Sequence, residues 1–193
     1  MKKILLNYLE RYFYYWHKKT GLLPSVPFDG EFNTDLYVGE VNEYGYIQWI
    51  YQENTKKINF EQIEKEMKII LKKEIKEYLT SYEFLELIGF LDGKLVCFNA
   101  INDVKQNIEK IVLQQKYLKE IEKNADIRDC KALENCIEIG NYQSMFELYF
   151  DNENGNIVMY DFDWHRKTVI ADNFEELFEK LTPYRKDSKI ILK

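Results

Sequence analysis

With 193 residues, 46% of them hydrophobic, the chain can bury one sizeable core and is too short for two comfortable domains. Its net charge of -6 argues against a general nucleic-acid binder. The three cysteines, Cys97, Cys130 and Cys136, form no CxxC pair, so the sequence predicts reduced thiols, no zinc site and no cofactor.

Met1-Lys2-Lys3 followed by Ile4-Leu5-Leu6 imitates a signal peptide, but Glu10 and Arg11 interrupt the apolar run and no small-residue cleavage site follows. No stretch is long and apolar enough to span a bilayer. The expectation is a soluble cytoplasmic protein, at most peripheral at the inner face of the membrane. The first element is a helix over about residues 3–18, with Leu5, Tyr8, Leu9, Tyr12, Phe13 and Trp16 as its apolar stripe and Tyr14 on the polar side. Gly21 ends it, and Pro24 and Pro27 keep the next stretch extended.

Residues 36–41 and 45–52 read as a hairpin around Asn42-Glu43-Tyr44-Gly45, with Ile47, Trp49 and Tyr51 sharing a face. Asn59 and Gln62 offer a cap for a long helix reaching about Lys76, whose buried stripe is Phe60, Ile63, Met67, Ile70 and Leu71. Asp92-Gly93, between Phe84–Leu91 and Lys94–Ala100, is the clearest two-residue hairpin. Asn102 caps a third helix with Val104, Ile108, Ile111 and Leu118 inside, and Asn124–Lys131 is a polar connection.

Glu134–Ile139 is a strand ended by Gly140. Phe146, Leu148 and Phe150 alternate as the next strand, Asn154-Gly155 turns the chain, and Ile157–Phe162 returns. After a polar link, Asp172 and Glu175 form a capping box for a helix carrying Phe174, Leu177, Phe178 and Leu181, which Pro183 stops. Hairpins and single added strands predict an α+β fold: one domain, residues 1–184, with an antiparallel or mixed sheet and helices packed on it. Residues 185–193 form a basic tail.

The charge is unevenly distributed. Between Lys19 and Lys56 there is no Lys or Arg, but there are Asp29, Glu31, Asp35, Glu40, Glu43 and Glu53. Between Lys131 and Arg166 there is again none, against Glu134, Glu138, Glu147, Asp151, Glu153, Asp161 and Asp163. The helices carry the cations. If the two windows meet, they form one negative basin suited to a basic partner, with faster encounter and rejection of acidic competitors. Tyr37, Tyr44, Tyr46 and Tyr142 interleave with the acids and supply contact area at low entropic cost.

Asp161, Asp163 and His165 form a DxDxH string beside Trp164. Strand alternation would place them on one side, where they could bind a metal or act as acid and base. Asp151–Asn156 fails as a calcium loop: its Gly falls at the fifth place and Phe162 occupies the closing position. There is no phosphate loop and no nucleophile elbow.

The run Arg11-Tyr12…Trp16-His17-Lys18-Lys19-Thr20-Gly21-Leu22-Leu23-Pro24, the strand Tyr46-Ile47-Gln48-Trp49, Asp92-Gly93, Gln114-Gln115-Lys116 and the closing strand–Gly155–strand–Asp172-Asn173-Phe174-Glu175-Glu176-Leu177 unit are similar, in this order, to the Syd (SecY-interacting) family of the SUKH superfamily. The resemblance implies an α+β fold, no catalysis and protein binding, either to cytoplasmic loops of SecY or, in immunity proteins, to a toxin domain. SecY loops are rich in Lys and Arg, and nuclease toxins face phosphates, so both partner types suit an acidic surface. The sequence therefore predicts a non-enzymatic immunity protein that neutralises a basic toxin. The alternatives are a Syd-type peripheral partner of SecY and a metal-dependent enzyme using Asp161, Asp163 and His165. The candidate contact residues are Asp29, Glu31, Asp35, Glu40, Glu43, Tyr44, Tyr46, Glu138, Tyr142, Asp161, Asp163 and Trp164.

Overall fold

The helical spacing of apolar residues at the start of the chain gives α1 (Lys2–Thr20), which buries Leu5, Tyr8, Leu9 and Tyr12 and leaves Tyr14 exposed. Gly21 ends it in the left-handed region, φ 73°, with its N–H on the His17 carbonyl at 2.8 Å. The computed structural model describes residues 1–30, 34–102, 109–110, 113 and 128–184. The helix that the sequence predicts after Asn102, with Val104, Ile108, Ile111 and Leu118, lies largely outside the described residues, as does the tail at 185–193.

Short strands β1 (Ser25–Pro27), β2 (Tyr37–Val38) and β3 (Tyr46–Trp49) form a small antiparallel sheet with β3 in the middle. The chain continues through β4 (Gln52–Glu53) to α2 (Phe60–Met67), α3 (Lys73–Ser81) and β5 (Tyr82–Glu83), and β5 pairs with β4. A six-stranded antiparallel meander follows: β6 (Leu87–Leu91), β7 (Lys94–Phe98), β8 (Cys136–Tyr142), β9 (Phe146–Asp151), β10 (Ile157–Asp161) and β11 (Arg166–Ala171). Asp92 and Gly93 both have positive φ, 50° and 77°, as a two-residue hairpin of the predicted kind requires.

One face of the meander is the main core. Val96, Phe98, Ile137, Leu148, Phe150 and Ile157 meet α1 and α5 (Phe174–Lys180) there. The Phe174 ring stacks on Phe150 at 5.2 Å and that of Phe178 on Phe98 at 5.1 Å. Arg11 donates to the Phe178 and Leu181 carbonyls at 2.7 and 3.3 Å, tying α1 to the end of α5. On the other face, Cys136, Tyr149, Val158 and Tyr160 form a smaller cluster with Leu133 of α4 (Arg128–Leu133). The fold is α+β, as the pattern of hairpins and helices predicts.

Several elements differ from the sequence reading. The cap of α5 lies one residue later than Asp172/Glu175: Asn173 Oδ1 accepts from Glu176 N–H at 2.8 Å, and the Glu176 carboxylate reaches back to Asp172 N–H. Gly140 does not end its strand but forms a bulge inside β8. The polar link after Phe162 contains β11, and α4 occupies the end of the predicted connection at 124–131.

The long helix expected over 59–76 is two helices. Asn59 does cap the first, accepting from Gln62 N–H, but Lys68 turns left-handed, φ 58°. Glu64 then takes Leu71 N–H at 2.7 Å and Lys76 Nζ at 2.6 Å. Asn152, from the β9–β10 turn, accepts from Lys72 N–H at 2.8 Å and donates to the Ile70 carbonyl at 2.9 Å. No Gly or Pro marks this break, because its cause lies 80 residues away. Asn152→Ala should cost about 1–3 kcal/mol by stranding two backbone groups. Hydrogen exchange would show it as lost protection at Lys72 while α1 amides stay protected.

Candidate functional site

Local hydrogen bonding gathers Asp29, Glu40 and Glu43 of the first cation-free window at one end of the small sheet, whereas Asp35 precedes β2 at the other end and Glu53 lies in β4, paired with Lys2 of α1. Pro27 pairs with Tyr46 and Val38 with Gln48, both antiparallel, so the segments after β1 and after β2 are held beside the segment before β3. The sheet is anchored inward by Val26, Leu36, Ile47 and Trp49, all buried, with the Phe13 ring edge-on to Trp49 at 5.0 Å. The connecting turn is shaped by Asn42, whose Oδ1 accepts from the Tyr44 and Tyr46 N–H groups at 3.0 and 2.9 Å. Gly45 completes it with φ 80°.

The loop after β1 folds onto this turn. Phe28 N–H bonds the Gly45 carbonyl at 2.9 Å, and the Tyr37 hydroxyl donates to the Asp29 carbonyl at 2.7 Å. Asp29, Glu40 and Glu43 are exposed around it, together with Tyr44 (77% exposed), Tyr46 and Phe28, while Asp35 is exposed before β2. Glu31 lies outside the described residues. Phe28 is an exposed aromatic beside these residues that sequence reasoning does not single out, although its position between Pro27 and Asp29 in an extended segment is a usable signal.

The second window is arranged differently. Glu138 is half-buried on the outer face of the meander and accepts from Asn99 Nδ2 at 3.1 Å. Burial, reinforced by the charge of Glu138, pushes the Glu147 carboxyl above its ordinary range. Tyr142 is only 5% exposed, in the main core under Lys94, and so offers little surface to a partner. Asp151 is buried against Lys167 at 3.1 Å.

Strand β10 ends at Asp161, whose Oδ1 takes the Asp163 and Trp164 N–H groups at 3.0 and 3.1 Å. The alternation expected through Asp161, Asp163 and His165 is therefore replaced by a tight turn, with His165 left-handed at φ 49°. Trp164 stands 81% exposed at that turn, beside exposed Asp163. Among the described residues no three His, Cys, Asp or Glu side chains are placed to hold a metal ion.

The two windows thus occupy separate sheets, and several carboxylates of the second already serve the fold. Among the described residues, the first places Asp29, Glu40 and Glu43 beside exposed Phe28, Tyr44 and Tyr46. The molecule is an α+β domain built from a six-stranded meander with a small sheet beside it. The family model for the Syd protein (SUKH-2) matches residues 2–123, and the chain belongs to that family. The matched span contains α1, the small sheet and the meander strands β6 and β7. Membership suggests a protein-binding role. No curated protein matches the sequence. No helix among the described residues is long and apolar enough to cross a membrane.

Proposed function

We propose that this chain is a non-enzymatic immunity protein that binds and neutralises a cognate basic toxin domain through the exposed end of the small sheet. The observation that carries this reading is the surface formed by Asp29, Glu40 and Glu43 around Phe28, Tyr44 and Tyr46, within a stretch of chain free of Lys and Arg. Acidic groups speed encounter with a basic protein, while the aromatic side chains supply area to bury once it arrives. The rigid anchor under the surface limits the ordering cost of binding.

The division of labour gives separable expectations. Glu40→Lys with Glu43→Lys should slow association about tenfold at low salt and much less at high salt. Tyr44→Ala should act mainly on dissociation, raising Kd by about tenfold if Tyr44 is a central anchor. Surface plasmon resonance against the toxin domain reads both, and unchanged rates in both variants would rule out this face. The same surface suits the Lys- and Arg-rich cytoplasmic loops of SecY, the alternative partner. A pull-down offering purified SecY and the toxin domain in parallel separates the two.

A further inference from the structure

Ile70 is where the amphipathic pattern and the structure part most sharply. A continuous helix would bury it. Instead it is 83% exposed, although Ile69 and Leu71 on either side are buried. The exposure follows from the break between α2 and α3. Left-handed Lys68, the Glu64 carboxylate on Leu71 N–H and the Asn152 side chain on Ile70 and Lys72 together hold the loop out of helical form. Departures from local preference concentrate at sites where the departure is used.

The surroundings indicate the use. Residues 67–73 contain Lys68, Lys72 and Lys73 and no acid. Lys68 and Lys72 have no ion-pair partner among the described residues, and Lys73 is 84% exposed despite reaching Glu77 at 3.5 Å. The nearby Glu64 is occupied by Lys76. Lysine is depleted at protein–protein interfaces, and this loop lacks the arginine and aromatic anchors that such interfaces favour. Lysines around a protruding aliphatic side chain fit a layer of phosphate headgroups above hydrocarbon. The pentapeptide Lys-Ile-Ile-Leu-Lys of residues 68–72 also recurs at 189–193, so the sequence carries this combination twice.

We propose that the α2–α3 loop docks on an anionic lipid bilayer, with Ile70 entering the acyl boundary and Lys68, Lys72 and Lys73 contacting headgroup phosphates. Glu74 and Glu153 on the flanks limit the net charge, so the attachment is weak, reversible and lost in high salt. Different residues carry this inference from those of the toxin-binding surface, and it stands whether or not that surface binds a toxin.

The test is co-sedimentation of the full chain with phosphatidylcholine vesicles, with and without one quarter phosphatidylglycerol. Binding is expected only to the anionic vesicles and at low salt. Neutralising Lys68 and Lys72 to Gln should weaken it roughly fivefold per lysine, and Ile70→Ser should weaken it about as much as one lysine. Ile70 is solvent-exposed, so that variant leaves the core intact, and an unchanged circular dichroism spectrum verifies this. The proposal fails if the chain ignores anionic vesicles, binds neutral ones equally well, or binds anionic ones undiminished in both variants.

Discussion

Gly140→Ala should remove a large share of the fold's stability, with a cost above about 4 kcal/mol against a typical total of 5–15 kcal/mol. A Cβ at this position would lie 2.0 Å from the Cys97 carbonyl oxygen and 2.9 Å from Phe98 Cα. Both obstacles are backbone of β7, a strand already paired to β6 on its other side. Neither can move aside as a side chain would without opening the middle of the meander. The glycine also marks the register shift between β8 and β9, so a shifted strand would turn its alternate residues to the wrong faces. Gly155→Ala is the control: φ is positive at both sites, 90° here and 157° at Gly140, but nothing lies within 4 Å of the added methyl, so the cost should stay near 1–2 kcal/mol. Urea unfolding followed by circular dichroism measures both. Equal losses in the two variants would show that the close approach of β7 and β8 is not what position 140 enforces.

Gly140 also shows which parts of the fold a sequence can reveal. Asp92-Gly93, the α1 stripe and its Gly21 cap are short-range statements, and each names its own structure. A bulge glycine looks the same in sequence as a strand-ending glycine, and only the neighbouring strand distinguishes them. The α2–α3 break was hidden for the same reason, since Asn152 acts on it from another hairpin. Strand β11 was missed because Arg166 and Lys167 open it like a loop, although Thr168, Val169 and Ile170 are favourable strand residues. The candidate surface divides along the same line. The residues around Asn42 were legible because the turn that gathers them is local. Tyr142 is not exposed as expected because its environment comes from strands distant in sequence, which bury it, and Asp151 of the same window is paired with Lys167 in the same way.

Lys167→Met should be the second large effect, about 2–4 kcal/mol near neutral pH, less than for a fully enclosed pair because the Lys167 side chain is 35% exposed. Burial pushes the Asp151 carboxyl up, but the ammonium of Lys167, with the N–H groups of Glu153 and Asn154, more than offsets this and holds it below the ordinary aspartate range. A carboxylate depressed in the folded state stabilises the fold above its unfolded pKa of about 3.9, and that contribution is lost as pH falls through the lower folded value. Removing Lys167 takes away the main opposition to burial. The N–H groups of Glu153 and Asn154 remain, so the folded pKa rises and the ionised carboxylate stabilises the fold less. The stability difference between wild type and Lys167→Met should therefore be greatest near neutral pH and shrink below about pH 4. Urea midpoints across that range test it, and a difference independent of pH would mean that the lysine acts by packing its stem alone. The consequence extends beyond the pair. Asp151 fixes the turn that presents Asn152, and Asn152 holds the loop that exposes Ile70. Lys167→Met should then also reduce hydrogen-exchange protection at Lys72 and weaken binding to anionic vesicles, although residue 167 belongs to a different sheet element from the loop it controls.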